Sequence, residues 1–198
     1  MESIDDVRIN SMLIGDRVKS VREKNGLTAD QLAKLTGLSK TLISQIEKDL
    51  ISPPIATLLR IANAMQTNIS NFFQDDQEDV KISVVRKEEH LLSKRRQAGS
   101  NIKIGYNYET LAHKKLYKHM EPFIVTFDIK TKEEVVRFSH NGEEFIYVLE
   151  GALEFTTEDN TVILHEGDSL YFESNQLHGF RALGKTEAKA VVVVYMAE

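Results

Sequence analysis

The sequence predicts an α+β protein: an N-terminal all-α domain of five helices, followed by an all-β jelly-roll barrel. Three observations carry this. Apolar residues recur at helical spacing up to about residue 73, then give way to short β-branched and aromatic runs from residue 80. Between the two patterns lies Asp75-Asp76-Gln77-Glu78-Asp79, an acidic stretch without apolar periodicity that reads as a solvated linker. Charge divides at the same place. Residues 1–74 hold nine Lys/Arg against eight Asp/Glu, whereas 75–198 hold sixteen against twenty-two, within a net charge of −5. The predicted domains are 1–74 and 80–198, with 75–79 between them.

The first helix spans 12–24, with Leu13, Val18 and Val21 at helical spacings and Arg17, Lys19, Arg22 and Lys24 on the remaining surface. Gly26 ends it. Thr28-Ala29-Asp30-Gln31 is a capping-box pattern that opens a short helix through Leu35. Gly37-Leu38 makes a turn, and Ser39 caps a helix over 40–48. Ser52-Pro53-Pro54 breaks the chain before an amphipathic helix over 55–65, and 70–73 adds a last apolar turn.

Two short helices joined through Gly37, the second polar on its exposed face, form a helix-turn-helix signature. The run from Gln31 to Glu47 resembles the XRE/Cro-repressor class of that motif, with Leu32, Ala33, Leu38, Ile43 and Ile46 at its core positions. The resemblance covers about residues 12 to 73 and implies binding to a double-stranded DNA operator. Lys40, Thr41, Ser44 and Gln45 are then the base readers of the second helix. Arg17, Arg22, Lys34 and Lys48 are candidates for phosphate contacts, which position without specifying sequence. One head of this size contacts little groove, so a homodimer reading two half-sites is expected.

From residue 80 the pattern predicts nine strands: 80–86, 102–111, 123–129, 143–150, 152–157, 162–164, 169–172, 179–182 and 188–195. The strand at 143–150 follows Asn141-Gly142, a strong turn pair in which both residues tolerate positive φ. Alternation places Glu144, Ile146 and Val148 on one face and Phe145, Tyr147 and Leu149 on the other. A carboxylate sharing a face with Ile and Val needs a cation or hydrogen bonds, and a metal ion shared with His140 would supply one. The run Ala190-Val191-Val192-Val193-Val194-Tyr195 lacks alternation and calls for cover on both faces, one cover being a sister subunit.

His140, Glu144, Gly151, Gly167 and His178 resemble the two motifs of the cupin family. Phe138 stands where that family has its first His, Glu173 where it has Pro, and Asn175 where it has Gly. The resemblance implies a cupin barrel and a divalent metal on His140, Glu144 and His178. Two imidazoles and a carboxylate suit Fe2+, and Zn2+, Ni2+ or Mn2+ are alternatives. Tyr106, Tyr108, Lys114 and Arg137 are candidates for orienting an anionic ligand. The layout is also similar to hydroxypropylphosphonic acid epoxidase, which has a tyrosine at the position of Tyr108, a proline at that of Pro122 and iron at the His140, Glu144 and His178 positions. Its catalytic lysine falls near Gly26 here.

Zero Cys excludes disulfides, thiolate catalysis and thiolate metal ligands. No apolar run reaches membrane-spanning length, and Met1 leads into polar residues, so a cytoplasmic protein is expected. Two functions follow. One is a transcriptional regulator whose cupin domain dimerises and senses a small molecule. The other is a mononuclear iron oxygenase or epoxidase with the helical domain as an active-site lid.

Overall fold

The computed structural model describes residues 11–12, 14–73, 80–93, 107–116 and 118–195. The acidic linker, Leu13, Tyr106 and the basic triplet Lys94-Arg95-Arg96 lie outside them.

Among the described residues, four α-helices build the N-terminal head: α1 (Ile14–Lys24), α2 (Ala29–Thr36), α3 (Lys40–Glu47) and α4 (Ile55–Ala64). The expected fifth helix is a single 3-10 turn, Ile69–Phe72. Four residues are too few for more than that turn, and Asn68 caps it by accepting from the Ser70 N–H. The α2 capping box is present: Thr28 Oγ1 accepts from the Gln31 N–H, and Gln31 Oε1 accepts from the Thr28 N–H. Ser39 Oγ accepts from Leu42 N at 3.1 Å and starts α3. α4 begins on Pro54 with no side-chain cap.

α1 begins at Ile14, later than its periodicity suggests, because Ser11–Met12 (β1) pairs in parallel with Leu91–Ser93 (β2) of the C-terminal domain. α1 then crosses α3 almost backbone to backbone. A Cβ on Gly15 would lie 2.1 Å from the Ile46 carbonyl oxygen, so only glycine fits there. The Gly15 N–H donates to Asp49 Oδ1 at 2.7 Å and ties the start of α1 to the end of α3. The head's core is the buried side of these helices, led by Val18, Leu32, Ile43, Ile46, Leu58 and Ile61. Each such side chain contributes about 1.5–3 kcal/mol by leaving water.

The remaining strands are β3 (Asn107–Thr110), β4 (Met120–Phe127), β5 (Glu143–Glu150), β6 (Ala152–Thr156), β7 (Thr161–His165), β8 (Ser169–Glu173), β9 (Gly179–Leu183) and β10 (Ala188–Tyr195). They form a seven-stranded sheet in the order β1-β2-β3-β4-β10-β5-β8 and a three-stranded sheet in the order β7-β6-β9. The expected closed barrel is instead two open sheets. Beyond side-chain packing, isolated bridges join them at Ile129–Ala182 and Phe138–His178. Rings from both sheets fill the interior, among them Phe127 against Phe180 and Phe155 against Phe172.

Residues 80–86 were expected to form a strand and do not. Their alternation is real, but among the described residues no neighbouring strand takes up their backbone, and Ile82 and Val84 are 86% and 54% exposed. Of the expected strand over 102–111, residues 107–110 are β3, and 102–106 lie outside the described residues. β10 sits between β4 and β5, with Ala190, Val192 and Val194 buried and Val191 and Val193 half-buried on the opposite face. Cover of that outer face is partial within one chain. No helix among the described residues is long and apolar enough to cross a membrane.

Candidate functional site

On the head, α2, the turn at Gly37 and α3 form the helix-turn-helix unit. Gly37 takes φ +66°, a left-handed cap that lets α3 leave at an angle. The inner face of α3 buries Ile43, Ile46 and Glu47, which leaves Lys40 and Thr41 exposed and Ser44 and Gln45 half-buried on the other side. Among the described residues, Thr41, Ser44 and Gln45 make no side-chain hydrogen bond inside the chain, and Lys40 Nζ pairs with Asp30 Oδ2 at 2.9 Å. Lys34 and Lys48 are exposed and Arg17 is half-buried.

Arg22, expected among the phosphate contacts, does not lie on the surface of the head. It is buried, and its guanidinium donates to both oxygens of Glu47, at 2.5 and 3.0 Å, and to the Leu27 carbonyl at 2.7 Å. The hydrogen bond to Glu47 holds its pKa above the ordinary arginine value. Sequence spacing placed Arg22 with the polar residues of α1, but tertiary pairing takes it inside.

In the C-terminal domain, His140, Glu144 and His178 converge, each offering one ligand atom, all within 4.8 Å of one another. The turn at Asn141-Gly142 makes this possible, although only Gly142 takes positive φ, at +110°. Glu144 then enters β5 on its buried face with Ile146 and Val148. The loop after β8 returns His178 alongside through a backbone pair with Phe138, at 3.0 and 2.9 Å.

Hydrogen bonds assign the ring nitrogens. His178 Nδ1 faces the Gln176 carbonyl at 2.8 Å, so it carries a proton there and Nε2 is the nitrogen left to face Glu144. That buried Nε2 has no hydrogen-bond partner and lies 3.4 Å from Glu144 Oε1. His140 Nδ1 faces the Asn141 carbonyl at 3.1 Å, and its Nε2 lies 2.6 Å from Glu144 Oε1. Backbone carbonyls on the far nitrogens are how ligating imidazoles are oriented. Ligands of a tetrahedral ion at about 2.0–2.1 Å stand roughly 3.3 Å apart. The His178–Glu144 pair has that spacing already, and the shorter His140–Glu144 pair needs only a small opening. Two imidazole nitrogens and a carboxylate oxygen within 4.8 Å of one another are a donor set of the kind that holds a divalent ion. Burial pushes the Glu144 carboxyl up, but the hydrogen bond with His140 and the nearness of both imidazoles outweigh it and bring it below its ordinary value.

A small cleft, with a cavity volume of about 30 Å³, opens beside this group. Glu144 is its polar wall; Phe138, Val125, Phe127 and Phe180 are among its apolar ones. Ile55 and Ala56, from the first turn of α4, line it too. No sequence pattern marked these two, because their role exists only where the domains meet. Phe138, in place of the family's first His, packs edge-on against His178, with ring centroids 4.7 Å apart.

Of the anion-orienting candidates, the three that are described, Tyr108, Lys114 and Arg137, do not gather here. Tyr108 is fully buried, edge-on to Phe73 and Phe123 between the domains. Lys114 Nζ pairs with Glu89 Oε1 at 2.5 Å, and Arg137 is exposed.

Residues 18–72 match the family described as Helix-turn-helix, and residues 125–194 match the family described as Cupin domain. The HTH-type transcriptional regulator PuuR of Escherichia coli strain K12 is 29% identical over 169 residues, covering 84% of this chain and 85% of PuuR. The crystal structure of an HTH_3 family transcriptional regulator from Vibrio cholerae superposes with a TM-score of 0.61 at 27% identity, covering 98% of this chain and 99% of that one. The structure of Fe(II) HppE shares the fold, with a TM-score of 0.50 at 24% identity, covering 94% of this chain and 100% of that one. The chain thus joins a domain matched by the helix-turn-helix family to a C-terminal domain matched by the cupin family.

Proposed function

We propose that this chain is a sequence-specific DNA-binding transcriptional regulator that works in the cytoplasm as a homodimer and senses a small molecule through its cupin domain. Residues 1–74 form the reading domain, 75–79 the linker and 80–198 the sensor. The α3 face supports this reading most. Thr41, Ser44 and Gln45 are hydrogen-bonding side chains with no partner in the chain among the described residues, at the end of α3 that enters a major groove in this motif. Lys34, Lys40 and Lys48 flank them as phosphate contacts.

The outer face of the large sheet supports the dimer. Pairing across β4, β10, β5 and β8 sets Pro122, Val193, Phe145 and Tyr171 in one row, with Ile124, Val191 and Tyr147 in the next. Phe145, Tyr147 and Tyr171 are 39%, 42% and 62% exposed, and a contiguous apolar face of this kind suits a second copy of the same sheet. Two heads so joined would read half-sites about one helical turn apart.

His140, Glu144 and His178 would hold Fe2+, Zn2+, Ni2+ or Mn2+ and present its open positions to a ligand in the cleft. The oxygenase or epoxidase alternative has less support. Gly26, near where the epoxidase carries its lysine, is exposed, and an added Cβ there would meet nothing within 4 Å.

Binding selection from genomic fragments at low salt tests the regulator. The wild type should enrich one sequence, and Gln45→Ala should relax a single base position by about 1–3 kcal/mol. No enriched sequence would overturn the reading. Titration with Zn(II) tests the metal: Glu144→Ala should lower affinity by at least about tenfold, and a wild type that takes up no ion removes this part.

A further inference from the structure

We propose that the cleft binds a small, mainly apolar molecule with one polar end, and that the reading head forms one of its walls, so that the occupant acts on α4 directly. The proposal rests on the regulator reading only for its effect on DNA.

The walls define the chemistry. Val192 and Val194 from β10 and Phe127 and Phe180 from the two sheets line the cleft with Glu144, the one charged side chain in the lining among the described residues. Glu144 is already engaged by His140 and His178. An occupant can direct one polar end at that group. A second charged end would lie against valine and phenylalanine without a partner, a burial that costs several kcal/mol.

The roof defines the regulation. Ile55 and Ala56 open α4, whose first turn has no side-chain cap to anchor it. Residues 50–54 connect that turn to α3, and the Leu50 N–H donates to the Gln45 carbonyl at 2.9 Å. The cleft wall and the reading face are thus joined by one short segment. Elsewhere the head meets the C-terminal domain through the β1–β2 pairing, around Phe73, edge-on to Tyr108 and Phe123, and through Asn68 Nδ2, which donates to the Lys118 carbonyl at 3.4 Å. In this proposal those contacts act as the pivot, and the α4 end is the part whose position the cleft contents decide. An occupant that favours one head position changes operator affinity, and operator DNA changes its affinity by the same factor.

Two arms test this on the full chain. In the first, side chains fill the cleft from opposite sides: Val192→Phe from the sheet and Ile55→Phe from the roof. Both should shift operator affinity about fivefold or more, in the same direction. Folded variants with wild-type operator affinity overturn the coupling and leave the regulator reading intact; should Val192→Phe not fold, Ile55→Phe decides alone. The second arm needs no DNA and survives failure of the regulator reading. Saturation-transfer NMR uses pentanoate and pentylamine as single-ended probes, against glutarate and 1,5-diaminopentane as double-ended ones. A single-ended probe should give a signal that Ile55→Phe or Val192→Phe removes. No single-ended signal, a stronger double-ended one, or signals that persist in the filled variants would overturn the assignment.

Discussion

Both domains bury a carboxylate against nitrogen groups, and they do so in different ways. In the head, Glu47 uses both oxygens on Arg22, whose third nitrogen bonds the Leu27 carbonyl. Every strong group of that pair has a partner. In the cupin domain, Glu144 binds His140 at 2.6 Å, while His178 Nε2 is buried at 3.4 Å with no hydrogen bond of its own. A saturated buried pair fixes geometry and has nothing left to offer. An unsaturated one keeps a nitrogen aimed into a shared space, which is what a ligand set requires.

The largest expected effect separates the two. Arg22→Ala leaves Glu47 charged, buried and without its fork, and should destabilise the head by about 3–5 kcal/mol. Glu144→Ala removes the charge itself from an apolar face, so the metal-free barrel should stay within about 1 kcal/mol of the wild type or gain stability. Chemical denaturation, monitored separately for each domain, reads both. Equal losses would break the comparison. Arg22→Met with Glu47→Leu sharpens it further, because replacing both partners should restore most of what Arg22→Ala loses.

The same contrast explains what the sequence made legible. Local signals came through well: the Thr28 capping box, the Ser39 cap, the α2–α3 unit and the alternation of Glu144, Ile146 and Val148 are all in place. The grouping of His140, Glu144 and His178 came through because family spacing encodes it, even with Phe138 in a ligand position. What failed was tertiary. A polar residue in α1 reads as surface until Glu47 arrives from 25 residues away to pair with it. Tyr108 reads as a ligand contact until Phe73 and Phe123 enclose it. Ile82 and Val84 read as a strand, yet alternation alone supplies no neighbour to bond. The roof at Ile55 and Ala56 had no local signal at all.

Glu121 is an intermediate case and should give an intermediate effect. It is buried, with Lys118 Nζ 3.1 Å from its Oε1, and burial pushes its pKa up to about 7 against the pull of Lys118. A carboxyl whose folded pKa is raised binds its proton more tightly in the native state. The native protein therefore holds more protons than the unfolded chain between about pH 4.5 and 7, and stability falls as pH rises through that window. The slope amounts to at most about 3 kcal/mol. Denaturation at pH 5 and pH 8 should show it in the wild type, and Glu121→Gln should flatten it. An unchanged slope in Glu121→Gln would place the pH dependence elsewhere.

The smallest effect belongs to the pair that faces water. Lys40 Nζ and Asp30 Oδ2 are 2.9 Å apart, with side chains 65% and 59% exposed. Water screens such a pair, and holding two mobile side chains together offsets much of the attraction. Lys40→Ala should therefore change stability by less than about 1 kcal/mol. Its effect belongs on DNA instead. If Lys40 meets a phosphate or guanine at the start of α3, its loss should lower the salt dependence of operator binding by about one counterion. Asp30→Asn should act in the opposite sense, because Lys40 no longer leaves a carboxylate to reach the groove. Operator affinity at low salt should rise, by less than about fivefold. Fluorescence anisotropy across a salt series reads both variants. A Lys40→Ala variant that loses stability while its salt slope stays unchanged would make this pair, like Arg22 with Glu47, part of the frame.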